Sequence, residues 1–143
     1  MKALIDTNIL IDYLNGIDAA REEIGRYETP LISAITWMEV MVGAAGDEQA
    51  SIWSFLSRFT QIGIDAEVAE IAVAIRREHK IRLPDAIIWA SAKRESALLV
   101  SRNTKDFPAD LPAYRGLAQA PAALPGSQNC LLSCQLGDGN GCV

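Results

Sequence analysis

The chain has 143 residues, half of them hydrophobic and 22% charged, with a mean hydropathy of +0.12. This describes one soluble domain of α/β size and excludes disorder over most of its length. A domain this long buries roughly two-thirds of its extended surface and needs no disulfide or structural metal. The net charge of −5 excludes coating of nucleic acid by bulk charge, so any phosphate contact has to be local.

Short apolar runs rich in branched residues alternate with stretches of helical period, the pattern of βαβ units. Ala3-Leu4-Ile5 reads as a buried strand, and Asn8 to Leu14 as a helix ended by Gly16. Leu31 and Ile32 start a second strand, followed by a helix from about Ile35 to Val42 that Gly43 and Gly46 close. Ile52, Phe55, Leu56 and Phe59 recur at spacings of three and four, as do Val68, Ile71, Ala72 and Ile75. These are two amphipathic helices, with Ile62-Gly63-Ile64 between them as a third strand. Pro84 stops the chain before Asp85, which opens a helix running to about Ser96. Leu98 to Ser101 is an apolar strand suited to the middle of a parallel sheet.

Composition changes near residue 117. Residues 118–143 hold one charge, Asp138, together with Pro121, Pro125, four glycines and all three cysteines, Cys130, Cys134 and Cys142. Residues 1–117 are therefore read as the domain and 118–143 as a poorly ordered tail with free thiols, since the cysteine spacing lacks the pattern of a zinc site. Within the domain, residues 1–75 carry four basic and 12 acidic side chains, whereas residues 76–115 carry nine basic and five acidic. The anion-facing surface is expected in the second half. No apolar run reaches the ~18 residues of a membrane span, and Asp6 comes too early for a signal peptide, so the expected location is the cytoplasm.

In a parallel sheet the ligand crevice lies beyond the carboxyl ends of the strands. Asp6 follows the first strand, Glu39 sits in the first turns of the helix after the second, Asp85 opens a helix, and Asp106 lies five residues beyond the Leu98–Ser101 strand. Each has a structural reading as well. Asp6-Thr7-Asn8 makes a serviceable strand-to-helix cap, and Thr36-x-x-Glu39 fits a capping box. Asp85 complements a helix macrodipole, and Asp106 suits a surface turn. Taken together, four converging carboxylates stay ionised only around divalent cations, and hard oxygen ligands suit Mg²⁺ or Mn²⁺. The chemistry they point to is metal-assisted phosphoryl transfer, in which one or two bound ions acidify water and stabilise the leaving oxygen.

Four segments, in order, resemble the signature segments of PIN-domain ribonucleases, and most of all the VapC-type toxins of type II toxin–antitoxin pairs. They are Leu4-Ile5-Asp6-Thr7-Asn8-Ile9-Leu10-Ile11-Asp12, Ile35-Thr36-Trp37-Met38-Glu39-Val40, Leu83-Pro84-Asp85-Ala86-Ile87-Ile88-Trp89-Ala90 and Leu99-Val100-Ser101-Arg102-Asn103-Thr104-Lys105-Asp106-Phe107. The resemblance covers residues 1 to about 117. It implies a three-layer, Rossmann-like α/β fold with a central, mainly parallel sheet flanked by helices. It further implies a Mg²⁺-dependent endoribonuclease, with Mn²⁺ as a substitute, that leaves 3′-hydroxyl and 5′-phosphate ends. Asp6, Glu39 and Asp85 would be its metal-binding, catalytic acids. Family members place the fourth acid at either of two points in the last loop, here Asn103 and Asp106, and Asp106 is preferred because it carries charge. Thr7, Asn8, Ser101 and Asn103 would be supporting polar groups. The same resemblance implies a homodimer and an antitoxin partner, with promoter DNA bound only through the antitoxin. A ring of carboxylates is a natural socket for an arginine from such a partner.

Arg102 and Lys105 flank the site and are the preferred contacts to RNA phosphate. Arg76, Arg77, Lys80, Arg82, Lys93 and Arg94 would extend the track or serve as ordinary helix-surface charge. His79, the only histidine, lies in the charged run Arg76–Lys80 and reads as a solvated-face residue rather than a general base. Trp37 and Trp89 read as core or interface residues rather than base-stacking platforms. Two other functions compete: a nuclease acting on DNA, and a PIN-like module without catalysis that only sequesters an antitoxin.

Overall fold

The computed structural model describes residues 1–107 and 114–117. In chain order the elements are β1 (Ala3–Ile5), α1 (Thr7–Leu14), α2 (Asp18–Gly25), β2 (Leu31–Ser33), α3 (Ala34–Gly43), α4 (Gln49–Leu56), β3 (Thr60–Ile62), α5 (Ala66–His79), α6 (Leu83–Arg94), β4 (Leu98–Ser101) and β5 (Tyr114–Gly116). The strands form one sheet in the order β3-β2-β1-β4-β5, and every pairing is parallel. The expected α/β architecture is present, with the sheet wholly parallel among the described residues. The proposed tail, residues 118–143, lies outside them.

Side chains alternate across the sheet, and the alternation sorts them into two cores. Leu4 pairs in register with Leu31 and Leu99, and all three pack with Val68, Ala72, Ile75, Ala86 and Ile88 of α5 and α6. Ile5 pairs with Val100, and both turn to the opposite face, against Ile9, Leu10, Ile24, Val40 and Leu56 of α1 to α4. A sheet covered on both faces explains why its strands are continuous apolar runs rather than alternating ones.

The helix ends follow local chemistry. Asp6 caps α1 by accepting from the Thr7 amide, and Gly16 adopts φ 81° just beyond it, a conformation that glycine takes without a Cβ penalty. Asp65 caps α5 by accepting from the Val68 amide, and Lys80 closes that helix in the left-handed region.

Several boundaries differ from the sequence reading. β3 is Thr60–Ile62 rather than Ile62–Ile64: it is an edge strand whose Thr60 and Gln61 are exposed, so apolar character is a poor guide there. Pro84 does not stop the chain but sits in the first turn of α6, where its missing N–H costs nothing. The Thr36–Glu39 capping box does not form. Ser33 is the N-cap of α3 without a side-chain cap bond, and Thr36 lies inside the helix, its buried hydroxyl accepting from Thr7 Oγ1 at 3.1 Å. Two elements had no sequence signal. α2 is mostly polar and buries only Ala20, Glu23 and Ile24, and β5 is a three-residue edge strand.

Candidate active site

The order of the strands places the site. The chain steps outward from β1 through β2 to β3, then returns to the other side of β1 as β4 and β5. The switch point lies between β1 and β4, where a parallel sheet opens its crevice. Asp6 and Ser101 stand there, at the carboxyl ends of those two strands. The Asp6 amide continues the ladder by donating to the Val100 carbonyl at 3.0 Å. Its buried carboxylate accepts from the Thr7 amide at 2.7 Å, from Asn8 Nδ2 at 3.0 Å and from Ser101 Oγ at 2.5 Å. Asn8 Nδ2 also donates to Ser101 Oγ at 3.2 Å. Thr7, Asn8 and Ser101, chosen from sequence as supporting groups, thus surround Asp6 directly or through α1.

The other carboxylates share its electrostatic field. Burial pushes the Asp6 carboxyl up to about 6; the charge of Asp85 adds to the rise, while hydrogen bonds from Ser101, Thr7 and Asn8 oppose it. Glu39, half-buried on α3, is pushed up to about 7, first by burial and then by the charges of Asp6 and Asp85, with Arg82 opposing. Asp85, in the first turn of α6, is raised by burial and by Asp106, against the Arg82 guanidinium, whose Nε lies 3.2 Å from its Oδ2. Asp6, Glu39 and Asp85 thus lie within one another's electrostatic reach, and Asp106 acts on Asp85. The field they create calls for a positive charge, since burial and mutual repulsion both work against ionisation.

The loop after β4 is folded on itself. Asn103 Nδ2 donates to Asp106 Oδ2 at 2.9 Å, and the Asp106 amide donates back to Asn103 Oδ1 at 3.3 Å. The Asn103 amide nitrogen donates to Ser101 Oγ at 2.9 Å. The two candidates for the fourth position are therefore hydrogen-bonded to each other.

Among the described residues, no group of three His, Cys, Asp or Glu side chains is disposed to enclose an ion by itself. A cation here would be held by one or two carboxylates with water completing its shell, which is the habit of Mg²⁺. The donors are all oxygens, and a bound dication would relieve the raised proton affinities of Asp6, Glu39 and Asp85, so the residues fit that group.

The basic residues fare differently. Arg102 Nε lies 2.9 Å from Asp12 Oδ2, so this guanidinium is engaged within the protein. The sequence reading gives Asp12 no role, although it ends the first signature segment and lies one helical turn after Asn8 on α1. Lys105 is exposed. Arg94 faces Asp65, Glu67 and Glu95 at 2.9, 3.3 and 3.5 Å and belongs to a surface ion-pair network. His79 is exposed, as read, and one side of its ring lies 4.6 Å from that of Trp89. Trp89 is buried, edge-on to Phe107 at 6.1 Å, and Trp37 packs against the second core, so both belong to the interior as read.

The comparisons agree with this geometry. A PIN domain family model matches residues 3–109. Ribonuclease VapC10 of Mycobacterium tuberculosis is 31% identical over 132 residues, covering 86% of this chain and 95% of the relative. Among solved structures, a toxin–antitoxin complex from Klebsiella pneumoniae is 46% identical with a TM-score of 0.75, covering 79% of this chain and 95% of that one. VapBC2 from Rickettsia felis, bound to a fragment of its promoter DNA, is 25% identical with a TM-score of 0.69 and covers 84% of this chain and all of that one. A parallel sheet with Asp6 at its switch point, a family match over residues 3–109 and a ribonuclease relative along most of the chain lead to one assignment: this chain belongs to the PIN-domain family, within its VapC-type branch.

Proposed function

We propose that this chain is a divalent-cation-dependent endoribonuclease, the toxin of a toxin–antitoxin pair. The observation that carries the proposal is the placement of Asp6 at the β1–β4 switch point, within the electrostatic reach of Glu39 and Asp85, with Asp106 acting in turn on Asp85. The relative named as a ribonuclease and the neighbours named as toxin–antitoxin complexes support it.

Of Asp6, Glu39, Asp85 and Asp106, one or two would hold Mg²⁺, or Mn²⁺ in its place, directly, and the others would act through the water that completes its shell. When bound, the cation supplies Lewis acidity at neutral pH and neutralises charge on the departing oxygen. Ser101 and Asn8 hold Asp6 in one rotamer, and Asn103 does the same for Asp106. Lys105, exposed and adjacent in sequence to Asp106, would meet a backbone phosphate, a contact that positions the strand without reading its bases. The antitoxin is the expected protein partner and the reader of promoter DNA, and the toxin is expected as a homodimer. The proposed setting is the cytoplasm; among the described residues no helix is long and apolar enough to cross a membrane.

The test is incubation of the purified chain, freed of antitoxin, with a mixed RNA pool and a matched single-stranded DNA, with Mg²⁺, Mn²⁺ or EDTA, beside Asp6→Asn. Cleavage of RNA that requires both the cation and Asp6 supports the proposal. Cleavage of DNA alone overturns the substrate class. A folded chain that binds no cation and cuts neither polymer is a binding module.

A further inference from the structure

α1 grips the loop after β4 at two points one helical turn apart. At the first, Asn8 Nδ2 donates to Ser101 Oγ at 3.2 Å, and the Arg102 amide donates to Asn8 Oδ1 at 3.4 Å. At the second, the carboxylate of Asp12 faces Arg102 Nε at 2.9 Å. Residues i and i+4 share a helix face, so one stripe of α1 holds two consecutive residues of the loop. The second point is an unusual use of a helix surface. Asp12 is 8% exposed, and burying a carboxylate is unfavourable unless a charge meets it. Arg102 meets it, and does so between two residues of the site: Ser101, which donates to Asp6, and Asn103, which donates to Asp106.

We propose that Asp12 is a positioning residue for the reaction. It draws Arg102 onto α1 and thereby sets the backbone of residues 101–107, so that Asp106 faces Asp85 while Ser101 stays on Asp6. The geometry also withdraws Arg102 from the set of RNA-phosphate contacts: its charge is committed to a buried carboxylate. This inference rests on the nuclease reading for its kinetic consequence, but its structural consequence can be read without catalysis.

The experiment compares the full chain with Asp12→Asn, Arg102→Met, the double variant and Arg102→Lys. Backbone hydrogen exchange is read at Asn103, Thr104, Asp106 and Phe107, whose amides donate within the loop at 2.9, 3.1, 3.3 and 3.4 Å. RNA cleavage is read as kcat and KM over a range of salt. Faster exchange confined to this loop is expected in Asp12→Asn and Arg102→Met alike, with β1 unchanged. A fall in kcat of about 10- to 100-fold is expected in each single variant. KM should hold, the double variant should be no worse than either single one, and Arg102→Lys should recover most of kcat.

Unchanged loop exchange, or faster exchange with kcat intact, overturns the proposal. So does a rise in KM with a flatter salt dependence in Arg102→Met alone, which would make Arg102 a phosphate contact. If the unaltered chain cuts no RNA while its loop exchange responds to both variants, the nuclease reading fails and the grip of Asp12 on the loop stands.

Discussion

The hydroxyl of Ser101 donates to Oδ2 of Asp6 at 2.5 Å, across the seam where β4 meets β1. It is among the influences holding down the proton affinity of a carboxyl that burial raises. Ser101→Ala is therefore expected to raise the Asp6 value above about 6 and move the acid limb of the pH–rate profile of RNA cleavage to higher pH. A loss of about 1 to 3 kcal/mol in stability should accompany it, because a buried acceptor is left short of a donor. The profile of kcat/KM against pH decides; an unmoved acid limb would show that Asp6 does not govern it.

Without a cation the site should make the fold more stable in mild acid. Asp6 and Glu39 have folded values of about 6 and about 7 against ordinary values of 3.8 and 4.5. Between these limits the folded chain keeps protons that the unfolded chain has released, so stability is fully present below the ordinary values and is lost as pH rises through 6 and 7. For Asp6 alone the effect is about 3 kcal/mol. Thermal unfolding in EDTA is expected to show a midpoint that falls from pH 5 to pH 8, and Asp6→Asn should flatten that slope. Adding Mg²⁺ at pH 8 should restore the midpoint, by about 2.7 kcal/mol at 100 times the dissociation constant.

Thr36 and Glu39 do not take the capping roles that their spacing suggests. Thr36→Val removes the acceptor of the buried Thr7 hydroxyl and is expected to destabilise the chain by about 1 to 2 kcal/mol. Glu39→Gln should leave the fold intact or strengthen it at pH 8 while abolishing cation-dependent cleavage. Urea unfolding of both variants checks the pair. A marked loss of stability in Glu39→Ala that Glu39→Gln does not share would reinstate the capping box, since Gln can return the capping bond and Ala cannot.

Lys105 and Arg94 separate phosphate contact from surface pairing. Lys105→Ala should weaken RNA binding and lower the dependence of log K on log salt by about one. Arg94→Ala should leave that slope unchanged and alter stability by no more than about 1 kcal/mol, as exposed ion pairs do. Fluorescence anisotropy of a labelled RNA at several salt concentrations reads both.

The buried strands and the acids were legible in the residues for one reason: a sheet covered on both faces advertises itself as apolar runs, and its crevice as polar residues just beyond them. Asp6 after Ala3–Ile5 and Ser101 at the end of Leu98–Ser101 are of that kind. The failures have the opposite character. β3 and β5 are short edge strands, and α2 buries too little to leave a period. Thr36 matched a helix-capping pattern whose geometry is not formed, because Ser33 had already started the helix. Asp12 was invisible as a site residue because its importance depends on Arg102, 90 positions away, and no local pattern reports such a partner.

The contact between Asp6 and Ser101 spans 95 residues of chain, which has a bearing on biosynthesis. At about 5 to 20 residues per second, the ribosome needs about 5 to 20 s after making Asp6 to reach its hydroxyl partner. Throughout that interval the nascent chain carries acids but no assembled crevice, because the central strand still lacks β4. Stalled chains ending before residue 98 are expected to cut no RNA even with Mg²⁺ present; cleavage by such a truncated, ribosome-held chain would overturn this. A chain that attacks RNA would thus be harmless to the message it is read from until most of its domain has been made.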